Sequence, residues 1–123
     1  KRPPAVAEIN FEAIAALPLA PAAYAPLPKF PAIERDLSII VDEGVSWETI
    51  ETTIRRLNVP DLESIDFGEL FRGKQIPAGK KSLFFTLRYR NSQRSLTHEE
   101  VDAGQRQVVE ALERSCHAQL RTM

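Results

Sequence analysis

The chain has 123 residues, of which 43% are hydrophobic and 27% charged, with a formal net charge of −1. This length suits one compact domain with a short appendage, and its one cysteine, Cys116, excludes an internal disulfide and fits a reducing, cytosolic compartment. No apolar run approaches the ~20 residues of a membrane span, and no signal-peptide pattern follows Lys1, so we expect no membrane anchor.

The leading segment differs in composition from the rest of the chain. Residues 5–17 predict a short strand and then one or two helical turns, and residues 1–17 are interpreted as the tail of a preceding module. Prolines at five positions between residues 18 and 31 are incompatible with a helix or a central strand. Residues 18–29 are therefore predicted as an extended linker, and residues 30–123 as the main domain. Because the chain starts without Met, we expect a fragment of a longer protein.

The main domain opens with a strand and a helix. Residues 35–41 (RDLSIIV) alternate between polar and apolar side chains, which predicts a strand with one apolar face. Ser46 is a suitable N-cap for a helix whose apolar residues recur at helical spacing over residues 47–57. Asn58 and Pro60 predict the end of this helix.

A second strand is predicted over residues 62–72, with an irregularity at Gly68. The alternation of apolar and polar residues changes phase there, which is typical of a β-bulge. The bulge directs three apolar side chains inward: Ile65, Phe67 and Leu70. Glu69 and Phe71 then point together to the outer face of the sheet.

The remaining elements complete a ferredoxin-like pattern. Residues 73–81 predict a hairpin loop and residues 82–90 a third strand, while Thr97 and Glu100 form the capping box of a second helix. Residues 118–122 are a candidate final strand. The order β-α-β-β-α-β predicts an α+β fold, in which an antiparallel sheet carries two helices on one face and leaves the other uncovered.

The uncovered face carries the residues that suggest binding to nucleic acid. Residues 72–98 contain seven basic side chains and no acidic one, as expected of a polyanion-binding segment. Phe71 offers a surface for base stacking, Glu69 accepts hydrogen bonds from a base, and Ser82 donates or accepts them. The predicted phosphate contacts are Arg72, Lys74, Lys80, Lys81, Arg88 and Arg90. Two alternatives remain: a solvated basic hairpin without a partner, and a Phe71 that packs against the linker or the N-terminal tail.

Catalytic and metal-binding residues are not predicted. His98 and His117 fall at opposite ends of one helix, ~25–30 Å apart at 1.5 Å per residue, so they cannot join in a triad or metal set. Cys116 is interpreted as an inert core residue. Two near-matches to the phosphate-binding loop, starting at Gly68 and Gly73, lie in a strand-hairpin-strand rather than before a helix, which excludes that nucleotide site.

Four motifs in order resemble the ferredoxin-fold anticodon-binding domain that closes the β chain of bacterial phenylalanyl-tRNA synthetases. The motifs are Phe30-Pro31-Ala32 with Arg35-Asp36-Leu37, Glu69-Leu70-Phe71-Arg72-Gly73, Ile76-Pro77-x-Gly79-Lys80-Lys81-Ser82-Leu83, and Arg94-Ser95-Leu96-Thr97-x-Glu99-Glu100-Val101. The match runs from about residue 29 to residue 121. Residues 1–28 are more weakly similar to the end of the preceding, catalytically inactive synthetase-like module.

The resemblance implies a role in translation without catalysis in this chain. The family enzyme is an α2β2 tetramer that joins phenylalanine to tRNA(Phe), with its active site on the α subunit and with ATP and Mg as expected cofactors. The implied partners are the anticodon stem-loop of tRNA(Phe), the α subunit and the rest of the β subunit, and no cofactor is expected in this fragment.

The resemblance also implies roles for three residues. Phe71 stands where the family commonly has a stacking Tyr, Glu69 where it commonly has Asp, and Ser82 matches a contact serine. Phe67-Gly68 departs from the usual Leu-Phe. Two other functions remain open, a small-molecule sensor that dimerises and a protein-interaction domain, and the basic outer strand argues against the sensor.

Overall fold

A computed structural model describes residues 2–121, and its regular elements follow the predicted order after a short leading helix. The elements are α1 (Phe11–Ala15), β1 (Ile33–Asp42), α2 (Trp47–Arg56), β2 (Leu62–Phe71), β3 (Lys80–Tyr89), α3 (His98–Cys116) and β4 (Gln119–Leu120). Among these residues, no helix has both the length and the apolar character needed to cross a membrane.

The four strands form one antiparallel sheet in the order β2-β3-β1-β4. The central pair, β1 and β3, is in register from Ile33 opposite Tyr89 to Asp42 opposite Lys80. The predicted ferredoxin-like α+β fold is confirmed. The last strand is shorter than the predicted 118–122, since β4 pairs only Gln119 and Leu120 with β1, and residue 122 lies outside the described residues.

The core lies between the sheet and the two long helices. Alternate residues of β1 and β3 point to the helices, and α2 and α3 contribute the facing side chains, as their apolar spacing predicts. The side chains with the least exposure are Tyr89, Phe85, Ile39, Ile50, Ile54, Leu83, Leu87, Leu112, Val41, Val101 and Val108. Cys116 is a free, buried thiol in this cluster, where it packs as a small apolar residue.

The predicted bulge in β2 is confirmed. The register of β2 against β3 shifts between Phe67 and Glu69, at Gly68. A Cβ on Gly68 would lie 2.4 Å from Cδ1 of Phe84, so only glycine lets the Phe84 ring approach the backbone here. A second register shift, between Leu62 and Ser64, was not predicted from the sequence.

The fourth motif builds the start of α3. Thr97 Oγ1 accepts from the backbone N–H of Glu100, and Glu100 Oε2 accepts from the N–H of Thr97 at 2.9 Å, which confirms the capping box. Arg94 adds two hydrogen bonds to the Glu100 carboxylate, at 2.6 and 2.9 Å. These bonds, with Arg94 as the largest contribution and the Thr97 backbone next, hold the pKa of Glu100 at about 2, below its usual 4.5.

The leading segment departs from the prediction. Residues 5–10 contain no strand, and α1 is a single short helix capped by Asn10. Every residue from 2 to 29 is exposed, including large apolar side chains such as Phe11 and Tyr24. The division of the chain at residues 17 and 29 stays a prediction.

We predict that Glu100→Gln lowers stability at neutral pH and flattens its dependence on acid. The pKa of Glu100 is lower in the folded chain, so its contribution is present above pH ~4.5 and is lost as pH falls towards about 2. Thermal melts between pH 2 and pH 7 would measure the difference. Glu99→Gln, one residue away in the same turn, is the matched control, and parallel curves for the wild type and Glu100→Gln would contradict the prediction.

Candidate nucleic-acid interface

A groove of about 320 Å³ opens on the sheet face that the helices leave uncovered. Six side chains from all four strands, or from just beyond them, line it: Ser38, Glu69, Phe71, Ser82, Phe84 and Arg121. Phe71 lies opposite Ser82, and Glu69 lies opposite Phe84, in the β2–β3 ladder. The structure therefore brings together the three predicted base-contacting residues, Glu69, Phe71 and Ser82.

The Phe71 ring remains accessible in the groove, with 43% of the residue exposed. Gly73 lies directly against it, since a Cβ there would be 2.7 Å from Cζ of the ring. The guanidinium carbon of Arg121 is 5.6 Å from the ring centroid, which is within cation–π range. Contacts on two sides therefore orient the ring without burying it.

Neither the linker nor the described part of the N-terminal tail lines the groove around Phe71, contrary to the alternative left open by the sequence. Residues 26–30 instead line a cavity with Glu63 and residues 90–93, which follow the C-terminal end of β3. Phe71 lies beside Ser82, near the N-terminal end of the same strand.

The polar groups of the groove are available to a ligand in different degrees. Ser82 is 2% exposed, and its Oγ lies 3.2 Å from Oγ of Ser38. The two hydroxyls therefore form one hydrogen bond, in which either can be the donor. The Glu69 side chain is exposed and forms none of the ion pairs found within residues 2–121. The groove thus presents a free carboxylate beside an accessible ring, while the Ser82 hydroxyl is nearly buried and already hydrogen-bonded.

Ser38 and Arg121 are groove residues that the sequence reasoning missed. Arg121 follows β4, and its backbone N–H donates to the Ser38 carbonyl at 2.8 Å, which continues the pairing of β4 with β1. Its guanidinium also donates to Gln75 Oε1 at 3.2 Å. Counting alternation along β1 would have placed Ser38 on the outer face, but the position of Arg121 required the register of β4.

The basic segment is largely neutralised by carboxylates from other parts of the chain. Five of its seven cations form ion pairs: Arg72 with Glu43, Lys80 with Asp42, Arg88 with Glu34, Arg90 with Glu63, and Arg94 with Glu100. The hydrogen bond from Lys80 lowers the pKa of Asp42, and that from Arg72 lowers the pKa of Glu43. The outer face is therefore less positive than the composition of residues 72–98 suggests.

Lys81 and Lys74 are the two cations of the segment outside these pairs. Lys81 lies on the helix side of the sheet, 7% exposed, and its Nζ donates to the Glu43 carbonyl at 2.9 Å, so the structure separates it from the outer face. Lys74 is exposed in the hairpin loop three residues after Phe71, and it has no ion-pair partner within the described chain.

The two histidines do not line the groove. His98 begins α3 on the helix side, where its Nδ1 is 3.1 Å from Nη2 of Arg35, and His117 ends the same helix in a left-handed conformation. Within residues 2–121, no three His, Cys, Asp or Glu side chains are grouped so as to hold a metal ion.

Comparison with known proteins agrees with this geometry. The family model of the ferredoxin-fold anticodon binding domain matches residues 28–121. A phenylalanine–tRNA ligase beta subunit from Clostridium acetobutylicum is 41% identical over 98 residues, covering 80% of this chain and 12% of the relative. The beta subunits of Clostridium tetani and Bacillus subtilis are 36% and 33% identical over 116 residues, covering 94% of this chain.

The chain thus spans only 12–15% of the length of these three relatives. The matched region still covers β1 to β4 and every residue that lines the groove. The fold, the motifs and these matches together show that the chain belongs to the family of ferredoxin-fold anticodon-binding domains.

Proposed function

We propose that this chain reads the anticodon of tRNA(Phe) as part of the β subunit of a phenylalanine–tRNA ligase. The observation that carries the proposal is the groove in which the exposed Phe71 ring stands beside the free Glu69 carboxylate and the Ser82 hydroxyl. Single-stranded RNA loops are recognised in this way, by stacking on an aromatic ring and by hydrogen bonds to base edges.

The groove suits one unpaired base whose edge carries hydrogen-bond donors. The base stacks on Phe71, and the Glu69 carboxylate accepts from its Watson–Crick edge. Guanine is the best match among the standard bases, because its N1–H and N2–H groups are adjacent donors and a carboxylate has two oxygens. The Arg121 guanidinium, already over the Phe71 ring, contacts either the base or its phosphate.

Phosphate contacts on this face come from cations that are exposed or can exchange their partners. Lys74 and Arg121 contact phosphate directly, while Arg72, Lys80, Arg88 and Arg90 first leave a carboxylate. Exposed ion pairs are screened by water and contribute little to stability, so this exchange costs little. Lys81 is not part of the proposed surface, because its ammonium is held on the opposite side of the sheet.

The domain contributes to the ligase reaction by positioning the tRNA. Ligation itself takes place on the α subunit of an α2β2 tetramer, which uses ATP and Mg. Contacts at the anticodon raise the rate of aminoacylation only where they are retained in the transition state. The exposed apolar side chains of residues 2–29 pack against the preceding part of the longer β subunit.

We predict that Phe71→Ala weakens binding of the tRNA(Phe) anticodon stem-loop by roughly 1–3 kcal/mol, because it removes the stacking surface. Phe71→Tyr, which keeps the ring, is the matched control and should bind within about threefold of the wild type. Titration of the labelled stem-loop, with circular dichroism as a check on folding, measures both. Unchanged affinity in Phe71→Ala would place the ring in a protein interface instead.

We predict that Glu69→Gln reduces affinity for a guanine-containing anticodon loop and removes its preference over inosine. Inosine lacks the N2 amino group, so it cannot supply the second donor to the carboxylate. The wild type should prefer guanine by roughly tenfold, as expected for one charge-assisted hydrogen bond. Equal binding of the guanine and inosine loops by the wild type would sink the proposed role of Glu69.

We predict that Lys74→Ala weakens the salt dependence of RNA binding. The slope of the logarithm of the binding constant against the logarithm of the salt concentration should become smaller by about 0.7, the value for one phosphate contact on a single strand. The charge-neutral double variant Asp42→Ala/Lys80→Ala should change this slope much less, because Lys80 is already paired with Asp42 in the free chain. Affinities measured at four or more salt concentrations provide the slopes. A larger effect of the double variant than of Lys74→Ala would contradict the prediction, because it would show that Lys80 releases more counterions on binding than Lys74 does.

A further inference from the structure

Phe84 is a large aromatic side chain that β3 places on the open face of the sheet, in the same groove as Phe71. The other outward side chains of this strand are polar: Lys80, Ser82, Thr86 and Arg88. Each of these four bonds to a polar side chain of β1, whereas Phe84 lies opposite Ser38 and Glu69. An apolar ring within this polar row needs a physical reason of its own.

The hydrophobic core does not supply that reason. Within residues 2–121, the core cluster on the helix side of the sheet includes the neighbours Leu83 and Phe85 but not Phe84. Phe84 points the opposite way, and its side chain is partly exposed to solvent. The ring therefore belongs to the surface of the domain and takes no part in the packing of the two long helices.

Gly68 holds the Phe84 ring in a defined place. A Cβ on Gly68 would lie 2.4 Å from Cδ1 and 2.9 Å from Cε1 of this ring, so the ring packs directly on the bare backbone of β2. Glycine weakens a strand, and the close approach of another group is a physical reason to keep it there. The ring is thus oriented in the free chain, which lowers the entropic cost of binding a ligand to it.

The rings of Phe84 and Phe71 lie on either side of Glu69 along β2. Gly68, against which the Phe84 ring packs, comes directly before Glu69, and Phe71 comes two residues after it. Three residues of a strand span about 10 Å at ~3.3 Å per residue, so the two rings are separate stacking surfaces. Both line the one groove, with the free carboxylate of Glu69 between them.

We propose that Phe84 forms a second base subsite, on which the nucleotide next to the one bound by Phe71 and Glu69 stacks. The inference rests on the proposed function and extends it from one base to two. Sheets that bind single-stranded RNA stack successive bases on separate aromatic rings in this way. Every base has a π-face, so the Phe84 subsite selects an unpaired base of any identity, and the hydrogen bonds of Glu69 supply the sequence preference.

Phe84→Leu keeps an apolar side chain and removes the ring, and the fold should be retained because Phe84 lies outside the core cluster. We expect this variant to bind the tRNA(Phe) anticodon stem-loop about fivefold more weakly, as for the loss of one stacked base. Phe84→Tyr, which keeps the ring, is the matched control and should bind like the wild type. Titrations of the labelled stem-loop with the 123-residue chain measure the affinities, and circular dichroism checks folding. Wild-type affinity in a folded Phe84→Leu would overturn the proposal.

Stem-loops that lack one base locate the subsite, because an abasic nucleotide keeps the phosphate and removes the stacking face. With the abasic nucleotide at each loop position in turn, the effects of Phe71→Ala and Phe84→Leu should disappear at two different, neighbouring positions. Disappearance of both effects at one position, or persistence of the Phe84→Leu effect at every position, would reject the second subsite.

The same titrations separate this inference from the proposed function. Weaker binding by Phe71→Ala together with wild-type binding by Phe84→Leu would reject the second subsite and support the function. Unchanged binding by both variants, or no binding by the wild type, would reject the function and the subsite together.

Discussion

The uninterrupted pairing of β1 with β3 is the constraint on which both faces of this domain depend. Because side chains alternate along a strand, one register places Leu37, Ile39 and Val41 against the helices and Ser38 on the open face. A slip of one residue would exchange the two sets, exposing the core and burying the polar groups of the groove. The hydrophobic core therefore fixes the register, and the register in turn assembles the site.

Gly68 shows how a local irregularity contributes to function. The bulge interrupts the β2–β3 ladder, yet it allows Phe67 to face Trp47 on the helix side while Glu69 and Phe71 both face the groove. The same glycine gives the Phe84 ring room against the strand. A side chain at this position would displace Phe84, which lies between Glu69 and Ser38 on the outer face.

The charges on the open face are mostly paired with neighbouring charges of opposite sign and do not form one continuous positive surface. Lys80 and Arg88 of β3 pair with carboxylates of β1, and Arg90, directly after β3, pairs with a carboxylate of β2. These cross-strand pairs replace the positive surface that a count along the sequence indicates. The proposed recognition of RNA on this face therefore relies on stacking and directed hydrogen bonds at one groove more than on net charge.

The sequence alone determined the order of elements, the bulge at Gly68, the capping box of α3 and the common face of Glu69, Phe71 and Ser82, because each depends on local periodicity or on residues a few positions apart. Only the tertiary structure decided that the Arg121 guanidinium lies within cation–π distance of the Phe71 ring, that Lys81 is buried, and that most of the basic segment is paired. Lys80 and Lys81 each contact a residue 38 positions earlier in the chain, and Arg121 and Phe71 are 50 positions apart. The register of the paired strands creates these contacts.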